Sequence, residues 1–348
     1  MEIKVRKIVA LILCICICVT SISADAKTKK VTGKDGKYIT WNYDKDTKTL
    51  TFSGKGVISD FILDGHAPEP EWYVWNKETE RIVIEEGITV IGEGAFSDFV
   101  SVRDVHLPET LIKISGDAFN ENMQLKSINF PENLKNISSY AFSGCEKMEL
   151  PMFPSKLKTI GEYAFCCCEN LELSVLPSKL EKLGEYAFCG CNKIKTFSFS
   201  KNTKKVTKGI LSECKLLSKI NMSKNTEVIS EYAFSYCPQI KKIKLPKNVR
   251  TVTMSAFIGT SLKKIMLPSK VQVIKNGSHG NKGLGNGYEV KKLRIIEIHT
   301  KKLKKIEKNS FGGLSRKAVI KVPKTKKKQY TKMLRKSGLS KKIKIKSL

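Results

Sequence analysis

The chain has 348 residues, of which 41% are hydrophobic, enough for a packed core and against a disordered chain. Its 63 Lys and Arg against 33 Asp and Glu give a formal charge of +30. That excess is segregated: positions 1–200 hold 24 basic and 27 acidic residues, and positions 201–348 hold 39 and 6. Solubility alone does not require such segregation, whereas a one-signed field over half of a molecule suits polyanionic partners or an anionic surface.

The first element is an address. Lys4, Arg6 and Lys7 precede an apolar run from Ile8 to Val19, and Ser21–Ala26 supplies small residues ending in Ala24-x-Ala26. This is the pattern of a secretory signal peptide over 1–26, and the run is short for a membrane span. Cys14, Cys16 and Cys18 follow Leu and Ile, which does not suit lipid attachment, and no Leu-Pro-x-Thr-Gly sorting motif occurs. The expectation is an exported chain, secreted or associated with a cell surface, without a transmembrane span after cleavage.

Residues 27–80 read as a β-rich N-terminal cap. Ile39, Trp41 and Tyr43 alternate, as do Leu50 and Phe52, with a turn sequence at Asp44–Thr47. This predicts a hairpin with one apolar face, suited to covering the end of a stack. Trp72, Tyr73 and Trp75 follow in a connector, where packing into the cap and stacking on sugars are both open to them.

A repeat then begins. Ala95-Phe96, Ala118-Phe119, Ala141-Phe142, Ala164-Phe165 and Ala187-Phe188 are 23 residues apart. Ile210-Leu211, Ala233-Phe234 and Ala256-Phe257 keep the register. A fixed period of this size means a solenoid, one coil per repeat, whose apolar face is buried only by stacking. Ile-x-Leu alternates as a short strand does, and the following Pro ends it. At about 4.8 Å per rung, some eleven rungs between Ile82 and Val322 span roughly 50 Å. The unit beginning at Ala256 is one residue short, and the next carries an insertion near 277–290.

The pattern Leu-x-x-Ile-x-Leu-Pro-x-x-Leu-x-x-Ile-Gly-x-x-Ala-Phe-x-x-Cys resembles the BspA-like class of bacterial leucine-rich repeats over residues 81–322. The segment Lys37–Gly54 is similar to the β-rich stretch that often precedes such repeats. The resemblance implies a right-handed array of coils of about 23 residues. It also implies a secreted or surface protein engaged in adhesion and protein–protein contact.

Residues 323–348 form a basic C-terminal cap. Thr325–Gly338 predicts a helix with Tyr330, Met333 and Leu334 on one stripe, and Ile343 and Ile345 predict a closing strand. The stripe could cover the last coil or lie on an anionic membrane; capping is the favoured reading.

Eight cysteines follow the leader. Cys145, Cys168, Cys191, Cys214 and Cys237 form one vertical column, Cys166 and Cys189 a second, and Cys167 stands alone. Neighbouring rungs are close enough for disulfides. The equivalent positions 99, 122 and 260 hold Phe, Asn and Thr, which favours a packing column of free thiols.

No catalytic constellation is recognised. His66, His106, His279 and His299 stand apart from any nucleophile arrangement. The Gly-rich run 277–287 lacks a phosphate-loop Lys-Ser/Thr and reads as an insertion, and no cofactor or metal site emerges. The expectation is a monomeric binding protein and not an enzyme. Its recognition surface is the outward strand face, where Leu150, Met152, Leu173 and Val175 would form an apolar partner-binding patch. Beyond it Lys219, Lys242, Lys244 and Lys264 would form a polyanion-binding stripe. Two partner classes stand open: a protein or glycan on a host or bacterial surface, and an anionic wall polymer held by the basic half. Nucleic acid is disfavoured by the export signal and by the scarcity of aromatics for base stacking.

Overall fold

The computed structural model describes residues 30–61, 69–149, 152–173, 175–277 and 292–348. The leader at 1–26, His66, Leu150, His279 and nearly all of the insertion at 277–290 lie outside the described residues.

The chain winds into a β-solenoid of about eleven coils, each contributing a short strand to either of two parallel ladders. The first ladder contains the Ile-x-Leu strands, such as Arg81–Ile84, Asp104–His106, Thr196–Ser198 and Lys264–Leu267. The second contains the strands that end each coil, such as Ile88–Ile91, Lys113–Ile114 and Thr251–Thr253. Registers repeat the sequence period: Asp104 pairs with Ser127, and Thr196 with Lys219. After Lys264 the pairing partners are Ile295, Val319 and Lys344, spacings of 31, 24 and 25 residues. The first of these absorbs the insertion.

The Ala-Phe pairs explain why coils stack in this register. Phe96, Phe119, Phe142, Phe165 and Phe188 are fully buried, and successive rings lie 5.3, 5.3, 5.4 and 5.6 Å apart. Each buried ring contributes on the order of 2 kcal/mol by removal of apolar surface from water. Beside the rings the backbone forms its own ladder, with Phe119 N–H donating to Ala141 O and Phe142 N–H to Ala164 O, both at 2.9 Å. Tight turns flank this ladder, and the coils from Gly94 to Tyr236 take two left-handed residues there. Gly209 (φ +60°) occupies one of them, where a Cβ would fall 2.0 Å from the Tyr186 ring.

The N-terminal cap is larger than the sequence hairpin. Strands β1 (Lys30–Asp35), β2 (Ile39–Asp44) and β3 (Thr49–Gly54) form an antiparallel meander, and β3 joins Arg81–Ile84 in parallel. Phe52 of β3 meets Phe96 edge-on at 5.3 Å, so the cap starts the aromatic column. The connector aromatics pack into this cap: Tyr43 and Trp75 stack at 4.4 Å, and Trp72 Nε1 donates to Ala95 O at 3.1 Å.

At the other end, helix α1 (Lys327–Lys336) is preceded by a 3-10 turn and followed by the strand Lys344–Ser347. Tyr330 and Leu334 are buried against the last coil. The Tyr330 hydroxyl accepts from Leu303 N–H at 3.1 Å and donates to Thr300 O at 3.2 Å. The amphipathic stripe is therefore a cap on the stack. No helix among the described residues is long and apolar enough to cross a membrane.

Candidate functional site

The outward positions of the first ladder project where expected through most of the array: His106, Ser127, Asn129, Lys219, Asn221, Lys242, Lys244, Lys264 and Met266 are exposed. The apolar patch is not assembled as the pattern suggested. Met152 and Val175 are 73% and 61% exposed, but Leu173 is only 3% exposed and turns into the core. In the sequence, the position that holds the inward Val105, Ile128, Phe197 or Ile220 in other coils holds a polar serine, Ser174, which lies outside the described residues. Among the described residues there, a single bridge between Val175 and Ser198 continues the ladder. Leu150 lies outside the described residues, so the described part of the patch is two side chains on adjacent rungs.

Of the four basic positions, Lys242 and Lys264 line one depression. Lys219, Lys242 and Lys244 form no ion pair among the described residues, while Lys264 Nζ is 2.9 Å from Glu297 Oε1. The coil at 241–246 carries no strand, so the first ladder is interrupted between Lys219–Asn221 and Lys264–Leu267. A depression of about 850 Å³ opens at this interruption, lined by Lys241, Lys242, Lys263, Lys264, Lys292 and Met266. Glu297, on the next rung, gathers Lys264, Lys321 (3.4 Å) and His299 (3.3 Å) around a carboxylate whose side chain is 9% exposed. The hydrogen bond from Lys264, followed by those from His299 and Lys321, holds that carboxyl below its ordinary range against the opposing effect of burial.

A second basic depression went unrecognised in the sequence. It lies along the second ladder, has a volume of about 1190 Å³, and is lined by Lys179, Lys182, Lys201, Lys204 and Lys205 with Lys158. The signal was present: Lys182 and Lys205 occupy the same position of successive coils. Here Lys158 is already paired with Glu181 at 3.0 Å.

The cysteine column is a packing device. Cys145, Cys168, Cys191, Cys214 and Cys237 are buried and free. Each donates its S–H to a carbonyl of the preceding coil, from Cys145 to Phe119 O (3.1 Å) through to Cys237 to Leu211 O (3.0 Å). Burial pushes all five thiols up, Cys237 to about 12, so they stay protonated donors. Cys166, Cys167 and Cys189 are different, lying at the surface of two adjacent coils. Among the described residues no group of His, Cys, Asp and Glu is arranged to hold a metal ion.

A stacked two-ladder solenoid with this motif defines the molecule as a leucine-rich-repeat scaffold. The family model for the BspA type leucine rich repeat region matches in six copies over residues 71–174 and 158–284. The chain belongs to that family, whose description is of a repeat region and names no enzyme. No curated protein matches it. Among solved structures it is similar to a leucine-rich repeat protein from Bacteroides ovatus ATCC 8483 (23% identity, TM-score 0.63). That match covers 90% of this chain and 76% of the other. It is also similar to a leucine-rich repeat protein from Eubacterium ventriosum ATCC 27560 (20% identity, TM-score 0.59, covering 84% and 78%). At these identities the likeness shows the fold.

Proposed function

We propose that this chain is a secreted or cell-surface binding protein whose basic strand face holds an anionic polymer of a cell surface. One observation supports the reading: Lys219, Lys242 and Lys244 stand exposed and, among the described residues, without ion pairs, and Lys242 is one of five lysines that line a depression. Such a row, with few carboxylates to neutralise it, attracts a linear polyanion and gives up counterions on binding. The charge is useful to a scaffold because stacking spaces it at rung intervals of about 4.8 Å.

The test is retention of the purified chain on whole cells, isolated wall polymer and host-matrix fractions at low and high salt. Retention should fall at least roughly ten-fold between 0.05 and 0.5 M salt, as screening shortens the reach of exposed charges. The combined substitution Lys219→Glu, Lys242→Glu and Lys244→Glu should remove retention at low salt while leaving the melting temperature within a few degrees. Undiminished retention at high salt would exclude the electrostatic reading.

A second reading is a protein partner on the same face, favoured by the exposure of Met152 and Val175. Met152→Asp with Val175→Asp should then abolish capture of a protein partner from the host-matrix fraction. Unchanged capture would rule that reading out.

A further inference from the structure

The three surface cysteines form a cluster that neither the core nor the strand face accounts for. Cys166 and Cys189 hold the same position of successive coils. Three residues before them Tyr163 and Tyr186 stack with ring centroids 4.8 Å apart. Neighbouring rungs of a ladder lie about 4.8 Å apart, within the roughly 4.4–6.8 Å between Cα atoms that a disulfide spans. Cys166 Sγ lies 3.6 Å from Cys167 Sγ and is hydrogen-bonded to the Cys189 thiol as well. Cys167 is exposed, with a left-handed backbone (φ +58°), and its N–H donates to Cys189 O at 2.7 Å, tying the turn to the next coil. The residue beside it in that coil is Gly190, where a Cβ would come within 3.3 Å of Cys167 Sγ. The missing side chain leaves the sulfur its room.

The electrostatics separate these thiols from the core column. The hydrogen bond from Cys166 stabilises the Cys167 thiolate and brings its pKa down to about 7, against burial and the carboxylates of Glu213, Glu169 and Glu121. Cys166, which shares its proton with both neighbours, is pushed up. One exposed, readily ionised sulfur therefore sits beside Cys166, whose thiol is pushed up, with Cys189 on the next coil, the arrangement of an attacking thiol with resolving partners.

We propose that Cys166, Cys167 and Cys189 form a thiol–disulfide exchange site for external disulfides, with Cys167 attacking and Cys166 and Cys189 ending as a bond between coils. The Cys167 thiolate attacks one sulfur of a disulfide RSSR, forming the mixed disulfide and expelling RS⁻. Cys166 gives up its proton and attacks the outer sulfur of the mixed disulfide, taking RS onto its own sulfur and returning Cys167 as thiolate. Cys189 gives up its proton, attacks the Cys166 sulfur and expels the second RS⁻, which leaves the Cys166–Cys189 disulfide. The two protons released neutralise the two RS⁻. Two protein thiols are oxidised and one external disulfide is reduced to two thiols.

The experiment uses the reduced full chain carrying Cys14→Ser, Cys16→Ser and Cys18→Ser, treated with oxidised glutathione between pH 5.5 and 9. Reactions are quenched by alkylation and mapped by tandem mass spectrometry. Expected are the loss of two free thiols, a link between Cys166 and Cys189, and a rate that rises through a midpoint near pH 7. The five column cysteines should be alkylated only after unfolding. Cys167→Ser should slow the reaction at least roughly ten-fold, since it removes the readily ionised, exposed sulfur. Cys167→Gly should do the same in a chain that folds at least as well, because glycine adopts the left-handed turn freely. Cys166→Ala should move the midpoint upward, and Cys189→Ser should halt the reaction before any bond between coils forms. A wild-type midpoint above about 8, or a rate unchanged by both Cys167 substitutions, would overturn the proposal.

Discussion

The coils before residue 200 and those after it are built on one plan and spend their surfaces differently. From Arg81 onward in the first set the strand registers advance by 23 residues, and the buried rings from Phe96 to Phe188 form one unbroken stack. Exposed charges there pair from rung to rung, as in Arg81–Asp104 (3.1 Å) and Lys158–Glu181 (3.0 Å). In the second set Ile210 and Leu211 interrupt the rings, Phe234 and Phe257 are 6.2 Å apart, and the spacing from Lys264 to Ile295 grows to 31 residues. Carboxylates are scarce, and Glu297 draws Lys264, Lys321 and His299 to one carboxylate. The core of a repeat and its surface charge are thus independent variables. Stacking needs only the inward residues, which frees the outward ones for a partner.

The sharpest way to break this contrast is through the aromatic column. Phe142→Ala, in the unbroken stack, should cost about 3–5 kcal/mol in urea unfolding, because rigid rings on both sides cannot close the cavity. Phe257→Ala, at a looser contact, should cost about 1 kcal/mol less. Equal losses would mean that continuity of the stack contributes nothing beyond burial.

Glu297→Gln tests the basic set and should cost on the order of 1.5–3 kcal/mol, the scale of hydrogen bonds to a charged group. The folded carboxyl is lowered, so its stabilisation is present above the ordinary value of 4.5 and is lost as pH falls through the lower folded value. Wild-type thermal stability should therefore drop below about pH 4.5 more steeply than that of the Gln variant. Parallel pH profiles for the two proteins would disprove the assignment.

A smaller effect is expected at the cysteine column. Cys191→Ala leaves the Phe165 carbonyl without its S–H donor and opens a small void, a loss of about 1 kcal/mol. The smallest should come from Lys158→Ala, whose exposed pair with Glu181 contributes no more than about 0.5 kcal/mol. A loss above 1 kcal/mol there would show that rung-to-rung pairs act as a network and not singly.

Much of the fold was legible because a solenoid writes its period directly into the chain. The Ala-Phe and Cys columns, the cap aromatics and the Tyr330–Leu334 stripe could each be placed from spacing alone. The candidate site was legible only in part. Lys219, Lys242, Lys244 and Lys264 follow the strand alternation and are exposed as that alternation requires. Leu173 obeys the same alternation and is buried, although the sequence offers a serine and not an apolar residue at the inward position after it. Strand β1 carries one apolar residue, Val31, in an otherwise polar stretch, and its pairing to β2 comes from backbone hydrogen bonds that leave no mark in side-chain pattern.

The sequence by itself determined the coil length, the inward residues and the segregation of charge, since these depend on identity and spacing along one chain. Only the tertiary structure decided which side chains of different coils meet. Glu297 finds Lys264 and Lys321 across spacings of 33 and 24 residues, and Cys166 finds Cys189 across a rung. Cys167 draws its low pKa from the thiol beside it. Lateral neighbours in a solenoid are set by stacking register, and where the period slips that register is known only once the coils have packed.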